Sequence, residues 1–142
     1  LESVTARLVG VCLATEPGKA CYIPLGHGGG DLLGENPDQI DFDTAIAKLK
    51  ALLEDPAVLK IGHNLKYDMG VLTQHDIVLE PIDDTIVMSI DLEAGLHGNG
   101  MDELAELFLG NTCIKFKDVV GTGKKQISFA EVHLDQATEY AA

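Results

Sequence analysis

The chain has 142 residues, of which 23 are acidic and 10 are basic, so its formal net charge at pH 7 is −13. This acidic balance argues against broad, non-specific binding of phosphate backbones, which needs a basic surface. It is compatible with a site in which carboxylates hold divalent cations. The length predicts one domain over residues 1–142 with one hydrophobic core. Because no apolar run reaches membrane-spanning length and no signal peptide is recognised, we expect no membrane partner.

The cysteines and the chain ends predict the cellular setting. Cys12, Cys21 and Cys113 lack the paired spacing of a metal site, and their odd number predicts reduced core thiols in a cytoplasmic protein. The chain opens on Leu1 without an initiator methionine and closes on Ala142 within a helical pattern. We therefore expect a piece of a longer protein.

The first part of the chain predicts a β-hairpin, a connector and a helix. Apolar strands over Arg7–Leu13 and Ala20–Pro24 flank a turn at 16–19, where proline presets φ and glycine permits positive φ. The glycine-rich stretch 27–39 lacks the spaced lysine and hydroxyl residue of a P-loop, which favours a flexible connector. A helix is then predicted over Asp41–Glu54, with Asp41 as its cap, because apolar residues recur at helical spacing.

The central stretch changes from a strand pattern to a helix pattern within a few residues. A short apolar run over Ala57–Ile61 predicts a buried strand, which Gly62 ends. Helical spacing of apolar residues begins at Leu65 and continues to about residue 75. Asp68 therefore lies about one turn into a helix that follows the carboxyl end of a strand, where α/β sheets bind ligands. The alternative stays open that Asn64 is an ordinary helix cap and Asp68 a solvated first-turn acid.

The second half predicts mostly helices. Helices are predicted over Asp84–Leu92, over Met101–Leu109 with Leu104, Leu107 and Phe108 inward, and from Leu134 onward. Between the last two helices, the sequence predicts a short helical turn with a glycine-lysine loop over Phe116–Gly123 and a capping box over Ser128–Glu131. Asn99 is the expected cap of the second helix and Gly110 its expected end. Early strands, followed by helices with one strand between them, predict an α/β or α+β fold with a mixed sheet.

The segment Gly62–Asp68, Gly-His-Asn-Leu-Lys-Tyr-Asp, resembles the second acidic motif of the proofreading 3′→5′ exonuclease domain of family A DNA polymerases, the family of bacterial DNA polymerase I. The likeness continues in order along nearly the whole chain. The other matching segments are 8–11, 20–24, 52–55, 101–105, 114–116, 121–126 and 139–142. The resemblance implies an RNase H-like α/β fold, a mixed sheet flanked by helices. The first, central strand of that sheet has no counterpart in this sequence.

The resemblance also implies a chemistry, the hydrolysis of the 3′-terminal phosphodiester of DNA with two Mg²⁺ or Mn²⁺ ions. The family uses an Asp-x-Glu pair, the aspartate matched by Asp68, and an aspartate four residues after the tyrosine matched by Tyr140. Only Asp68 of these four carboxylates has a counterpart here, and Glu2 and Glu139 match neither missing position. We therefore expect two ions in the intact parent, none held tightly by this chain, and no activity of this chain alone.

The matching positions carry implied roles. Asp68 is expected to bind metal and Tyr140 to orient the attacking water, with both facing one cleft. The residues expected to contact DNA are His63, Asn64, Lys66 and Tyr67 along the single strand, Leu1, Met101 and Phe116 against the terminal bases, and Lys124 and Lys125 at phosphates. His63 stands where the family often has glutamine, and it can still donate a hydrogen bond. Core packing stays open for Tyr140, Met101 and Phe116, as does an ordinary solvated loop for the lysines.

The expected partners are a single-stranded or frayed 3′ end of DNA and a polymerase domain in the same parent chain. The expected location is the bacterial cytoplasm. Two alternatives stay open. One is a catalytically inactive module that binds single-stranded DNA or serves as a scaffold, and the other is a related RNA 3′→5′ exonuclease. A preference for a 2′-hydroxyl would favour the second alternative.

Overall fold

The computed structural model describes residues 3, 5–28 and 37–142. The elements in chain order are β1 (Gly10–Glu16), β2 (Lys19–Pro24), α1 (Phe42–Leu53), β3 (Lys60–Gly62), α2 (Leu65–Thr73), β4 (Ile82–Asp84), α3 (Thr85–Glu93), α4 (Met101–Leu109), α5 (Phe116–Val120) and α6 (Leu134–Ala141), with 3₁₀ turns at Gly123–Lys125 and Phe129–Glu131. The predicted α/β class is confirmed. Leu1 and residues 29–36 of the predicted connector lie outside the described residues.

The chain divides into two compact units. The first comprises Leu1–Ala6 and Ile46–Cys113, and the second comprises Arg7–Ala45 and Ile114–Ala142. Both kinds of pairing expected of a mixed sheet are present in the described residues, but they fall in separate two-stranded sheets. β1 pairs with β2 antiparallel, and β3 pairs with β4 parallel.

The second unit begins with the predicted hairpin. Its ladder runs from Gly10 opposite Pro24 to Glu16 opposite Lys19, and Gly18 in the turn has the positive φ, 78°, that the turn requires. β1 starts three residues later than the prediction from Arg7, because the ladder begins opposite Pro24 and continues up to the turn.

The hairpin cysteines differ from the sequence prediction. Cys12 and Cys21 are free thiols, but both are exposed, so their prediction as core residues is wrong. An apolar strand pattern shows that a strand forms, yet it does not show that another layer covers both of its faces.

The core of the second unit connects the hairpin to the C-terminal helices. Val120, Val132 and Ala137 are almost completely buried, at 2%, 4% and 0% exposure. Three half-buried residues pack against them: Tyr22, Val119 and Phe129. The predicted capping box forms, because Ser128 Oγ accepts from the backbone N–H of Ala130 and Glu131 Oε2 accepts from that of Ser128.

A buried histidine ties the end of the hairpin to the segment before α6. His27 Nδ1 lies 3.2 Å from the carbonyl oxygen of Val132, and His27 Nε2 lies 2.6 Å from the hydroxyl of Tyr22. Because a carbonyl can only accept, Nδ1 carries the hydrogen and Nε2 accepts from Tyr22. The neutral ring therefore satisfies both neighbours.

We expect acid to destabilise this unit through His27. Burial lowers the pKa of His27 below its ordinary value of 6.5, although hydrogen bonds to backbone groups of Val132 and Ala130 oppose the change. The unfolded chain therefore binds the proton more readily, so stability falls as pH drops below about 6.5, by at most about 1.4 kcal/mol per pH unit. Urea unfolding of the wild type and of His27→Gln between neutral pH and pH 5 measures this. Parallel pH profiles for the two proteins would contradict the assignment.

The first unit contains the parallel pair. Lys60 lies opposite Ile82, Ile61 opposite Asp83, and Gly62 opposite Asp84. β4 is absent from the sequence predictions, since three residues are too few to show a strand period. β3 starts at Lys60 rather than at residue 57. The prediction of a buried strand is wrong at Ile61, which is 67% exposed, because a two-stranded sheet leaves much of its surface uncovered.

Among the helices of this unit, α1 and α2 each bury an apolar face, whereas in α3 the buried residue is Ser89, and Val87 and Ile90 are 52% and 46% exposed. The buried apolar residues of the unit are Leu49, Leu53, Leu65, Val71, Leu72, Ile77 and Leu79. In α4 the expected inward residues Leu107 and Phe108 are 55% and 58% exposed, so that prediction is wrong. Helical periodicity identifies an apolar face but does not show what covers it.

The predicted C-terminal end of α4 is confirmed, but its predicted N-terminal cap is wrong. Gly110 ends the helix in the left-handed conformation, with a φ of 64°, as expected. Asn99 does not cap the helix, because Gly100 occupies the cap position. Instead Asn99 Oδ1 accepts a hydrogen bond of 2.7 Å from the hydroxyl of Ser89 in α3.

Candidate active site

The helix that carries Asp68, α2, is capped by a residue of β4. Asp84, at the end of β4, accepts hydrogen bonds from the backbone N–H of Asn64 at 2.9 Å, of Leu65 at 2.8 Å and of Ile86 at 3.0 Å. Its carboxylate thus caps the starts of both α2 and α3. Parallel pairing makes this possible, since it places Gly62 directly opposite Asp84. Asp84 has no role in the sequence predictions, although an aspartate before a threonine at a helix start is the usual signal of a cap.

Asn64 does not act as the predicted cap. It occupies the cap position with a φ of 59°, in the left-handed region, and its side chain makes no capping hydrogen bond. Its side chain is exposed. Gly62 permits the tight approach that this turn requires, because a Cβ at that position would overlap the side chain of Leu65.

Asp68 and Asp84 have opposite electrostatic environments. Burial of its carboxyl group raises the pKa of Asp68, a hydrogen bond with its own backbone opposes this, and the negative charge of Asp84 adds to the increase, although the residue as a whole is exposed. Burial also acts to raise the pKa of Asp84, but its hydrogen bonds to backbone N–H groups outweigh this and lower it overall. One carboxylate is thus stabilised as an anion by the backbone, whereas for the other a single backbone hydrogen bond does not outweigh burial. Carboxylates of the second kind cluster at functional sites.

Removing the charge of Asp68 should stabilise the chain. Because the pKa of Asp68 is raised in the folded state, the ionised form is disfavoured above that pKa, and the penalty is absent at acid pH where the group is protonated. Because solvent screens the charge of this exposed residue, we expect Asp68→Asn to raise the melting temperature at pH 7 by only on the order of 1 °C. The gain should vanish near pH 4 and below. The control is Asp91→Asn, at an exposed acid on α3. A lower melting temperature for Asp68→Asn at pH 7 would contradict this account.

His63 is held by the start of α3. Its Nδ1 lies 2.9 Å from the hydroxyl oxygen of Thr85, and that hydroxyl donates to the carbonyl of Gly62 at 3.1 Å. The single hydroxyl hydrogen is therefore used, so Nδ1 of His63 must donate. The expected hydrogen-bond donation by His63 thus goes to Thr85. Its Nε2 accepts when the ring is neutral and donates only when the ring is protonated.

A cavity of about 430 Å³ in the first unit brings together two of the predicted residues, His63 and Met101. The other apolar lining comes mainly from α3 and α4, including Met88, Leu104 and Phe108. Met101 is 56% exposed, so it is not a core residue. Of the other residues predicted along the single strand, Lys66 and Asn64 are exposed and Tyr67 is half-buried.

The second unit brings together two more predicted residues. The ring centroids of Phe116 and Tyr140 are 6.0 Å apart. Phe129 lies 6.0 Å from Phe116 and 5.8 Å from Tyr140, and it is absent from the sequence predictions. Its only local signal is its place in a capping box, which says nothing about ring contacts. Lys124 and Lys125 lie on an exposed 3₁₀ turn, which falls between Phe116 and Phe129 in the sequence.

The described residues do not form a complete metal site. Among residues 3, 5–28 and 37–142, no group of three or more histidine, cysteine, aspartate or glutamate side chains could hold a metal ion. Both oxygens of Asp84 already accept backbone hydrogen bonds. Asp68, an exposed residue whose carboxylate makes one backbone hydrogen bond, fits the role of a single ligand. In the described part of the chain no helix has the length and apolar character needed to cross a membrane.

Comparison with known proteins identifies the family. Residues 1–142 match the 3′-5′ exonuclease family of family A DNA polymerases. The chain is 44% identical to a DNA polymerase I of Rhizobium leguminosarum, 39% identical to that of Pseudomonas aeruginosa and 34% identical to that of Chloroflexus aurantiacus. Each match covers 100% of this chain but only 14–15% of the relative, so the chain spans about a seventh of the length of these curated relatives.

A solved structure described as the apo form of a nuclease has the same fold, with a TM-score of 0.69 and 22% identity, over 99% of this chain and 59% of that one. This agrees with the α/β nuclease fold predicted from the sequence. Because the family match extends over the whole chain, the chain belongs to the 3′-5′ exonuclease domain family of family A DNA polymerases.

Proposed function

We propose that this chain is the part of a DNA polymerase I proofreading domain that receives the 3′ end of single-stranded or frayed DNA. In the longer protein it would contribute Asp68 and Tyr140 to hydrolysis of the terminal phosphodiester, with Mg²⁺ or Mn²⁺ as the cofactor. The observation that carries the proposal is the match of the whole chain to the exonuclease family. We also propose that a polymerase domain follows in the same parent chain and that the parent is a bacterial cytoplasmic protein.

Asp68 is the proposed metal ligand. Divalent cations such as Mg²⁺ prefer carboxylate oxygens, and a nearby cation would favour the ionised form of Asp68 that burial and Asp84 disfavour. The proposed role of Tyr140 is to orient the attacking water, and the contact of its ring with Phe116 supports it by placing the residue beside a proposed stacking surface. Two-ion hydrolysis is proposed for the longer protein only, because the described residues supply no complete ligand set.

The proposed contacts with DNA fall into two groups. Phe116 and Met101, at 48% and 56% exposure, offer apolar surfaces on which unpaired bases could stack without reading sequence. The remaining proposed contacts are His63, Asn64, Lys66 and Tyr67 along the strand and Lys124 and Lys125 at phosphates. Leu1 is proposed from the resemblance alone, since it lies outside the described residues.

Digestion of a single-stranded DNA labelled at its 5′ end tests the proposal. We expect the longer polymerase protein to shorten it from the 3′ end in the presence of Mg²⁺. We expect this 142-residue chain alone to bind it without cutting, because Asp68 is its single match to a family carboxylate. Absence of 3′-end digestion by the longer protein would contradict the nuclease assignment and favour an inactive DNA-binding module.

An RNA strand of the same sequence provides the control for substrate class. We expect slower digestion of RNA than of DNA by the longer protein. Faster digestion of RNA would favour the RNA exonuclease, because the two substrates differ in backbone chemistry chiefly at the 2′-hydroxyl.

A further inference from the structure

Phe129 is the centre of an aromatic cluster in the second unit. Its ring centroid lies 6.0 Å from that of Phe116, 5.8 Å from that of Tyr140, 5.8 Å from that of His27 and 6.4 Å from that of Tyr22. Against Phe116 the rings are stacked with an interplanar angle of 28°, whereas Tyr140 and Tyr22 meet Phe129 in edge arrangements. All these distances are in the range in which aromatic rings attract each other.

The backbone that carries Phe129 is fixed on both sides. The capping box of Ser128 and Glu131 closes the 3₁₀ turn around it. The carbonyl of the next residue, Ala130, accepts a 2.9 Å hydrogen bond from the backbone N–H of Gly28. The Phe129 side chain also packs against the core cluster around Val120, so the ring is held from behind.

The opposite side of the cluster is open to solvent. Phe116 is 48% exposed, and Tyr140 is half-buried. Phe129 is also half-buried, and it contacts both of these rings as well as the buried His27. The ring of Phe129 thus lies between a fixed core and the two side chains to which the proposed function gives a stacking role and a water-orienting role.

We propose that Phe129 is a positioning residue for the proposed exonuclease reaction. Its ring holds Phe116 and Tyr140 at a fixed separation, so that a 3′-terminal base stacked on Phe116 has a set position relative to the Tyr140 hydroxyl. This inference rests on the proposed function. A residue that served only to fill the core would need the volume of Phe129 but not its aromatic ring, and this difference makes the two roles separable.

Binding of a short single-stranded DNA to this chain tests the proposal, in EDTA so that no cleavage interferes. The DNA carries the fluorescent base 2-aminopurine either at its 3′ end or at an internal position. We expect Phe129→Leu, which keeps an apolar side chain but removes the ring, to weaken binding about fivefold and to reduce the fluorescence change of the 3′-terminal probe. The internal probe should report the weaker binding but keep its full fluorescence change at saturation. Phe129→Tyr, which restores a ring, should behave like the wild type.

Val119→Ala is the matched control, because Val119 packs against the same core cluster but has no ring. It should lower the melting temperature without altering the 3′-terminal signal. If Phe129→Leu gives the wild-type signal and affinity, Phe129 is a core residue only and the inference is overturned. If Phe129→Leu does not fold, aromatic NMR of the wild-type chain, recorded as DNA is added, tests the inference instead. The Phe129 ring signals must then shift with those of Phe116 and Tyr140 as DNA is added, and unmoved Phe129 signals would overturn the inference.

Phe116→Ala distinguishes failure of this inference from failure of the proposed function. If Phe116→Ala loses the 3′-terminal signal while Phe129→Leu keeps it, the proposed function stands and the role of Phe129 is wrong. If the wild type itself binds no single-stranded DNA, both are wrong.

Discussion

Replacing Asp84 with alanine should lower the free energy of unfolding by about 3 kcal/mol. The loss is large because one carboxylate accepts from the backbone N–H groups of Asn64, Leu65 and Ile86, and alanine leaves all of them without that partner. Urea unfolding at pH 7 measures the change. Asp84→Asn should be intermediate, since one amide oxygen can replace only one of the two carboxylate oxygens.

The neighbouring acid in β4 provides the control for Asp84. Asp83→Ala changes a half-buried acid in the same strand and should cost less than about 1 kcal/mol. Equal losses for the two variants would contradict the capping role. The difference between wild type and Asp84→Ala should also shrink as the solution is acidified. The pKa of Asp84 is lowered in the folded state, so its contribution is complete above the unfolded value of about 3.8 and is lost as pH falls through the folded one.

Replacing Asp68 with alanine should reduce exonuclease activity of the longer polymerase protein by about 10³-fold or more, because a metal ion stabilises the transition state by several kcal/mol. The readout is kcat/KM on single-stranded DNA with Mg²⁺. The polymerase activity of the same preparation and the melting temperature show that the protein is folded. The control is Asp91→Ala, which should retain full activity. Unchanged digestion by Asp68→Ala would contradict the proposed metal role.

Where structure depends on neighbouring residues, the sequence predicts it well. The β-hairpin, α1, α2, α4, the capping box and α6 all appear close to their expected positions, because turn residues, caps and helical spacing act over a few residues. The position of Asp68 in the first turns of a helix after a strand is confirmed in the same way.

Features that depend on distant residues could not be predicted in this way. Asp84 caps α2 from 20 positions away, while Asn64 satisfies the local pattern of a cap without making the bond. Phe129 reaches Phe116 and Tyr140 only through the folded chain. The exposure of Ile61 and Phe108 likewise depends on which surfaces the fold covers, which periodicity does not encode.

The proposed role of Asp68 connects these observations. It lies in a helix capped by Asp84, the sequence resemblance matches it to a metal ligand of the family, and burial outweighs the backbone hydrogen bond that favours its ionised form. The site would then be completed by carboxylates of the longer protein. Such a site would let an acidic chain with few basic residues act on DNA through bound cations.

Titration with Mn²⁺, followed by electron paramagnetic resonance, tests this most directly. For this 142-residue chain we predict no tight two-site binding, and at most weak binding that Asp68→Asn abolishes. For the longer polymerase protein we predict two bound ions, at least one of which is lost with Asp68→Asn. Tight binding of two ions by this chain, or two ions retained by the longer protein after Asp68→Asn, would contradict the account.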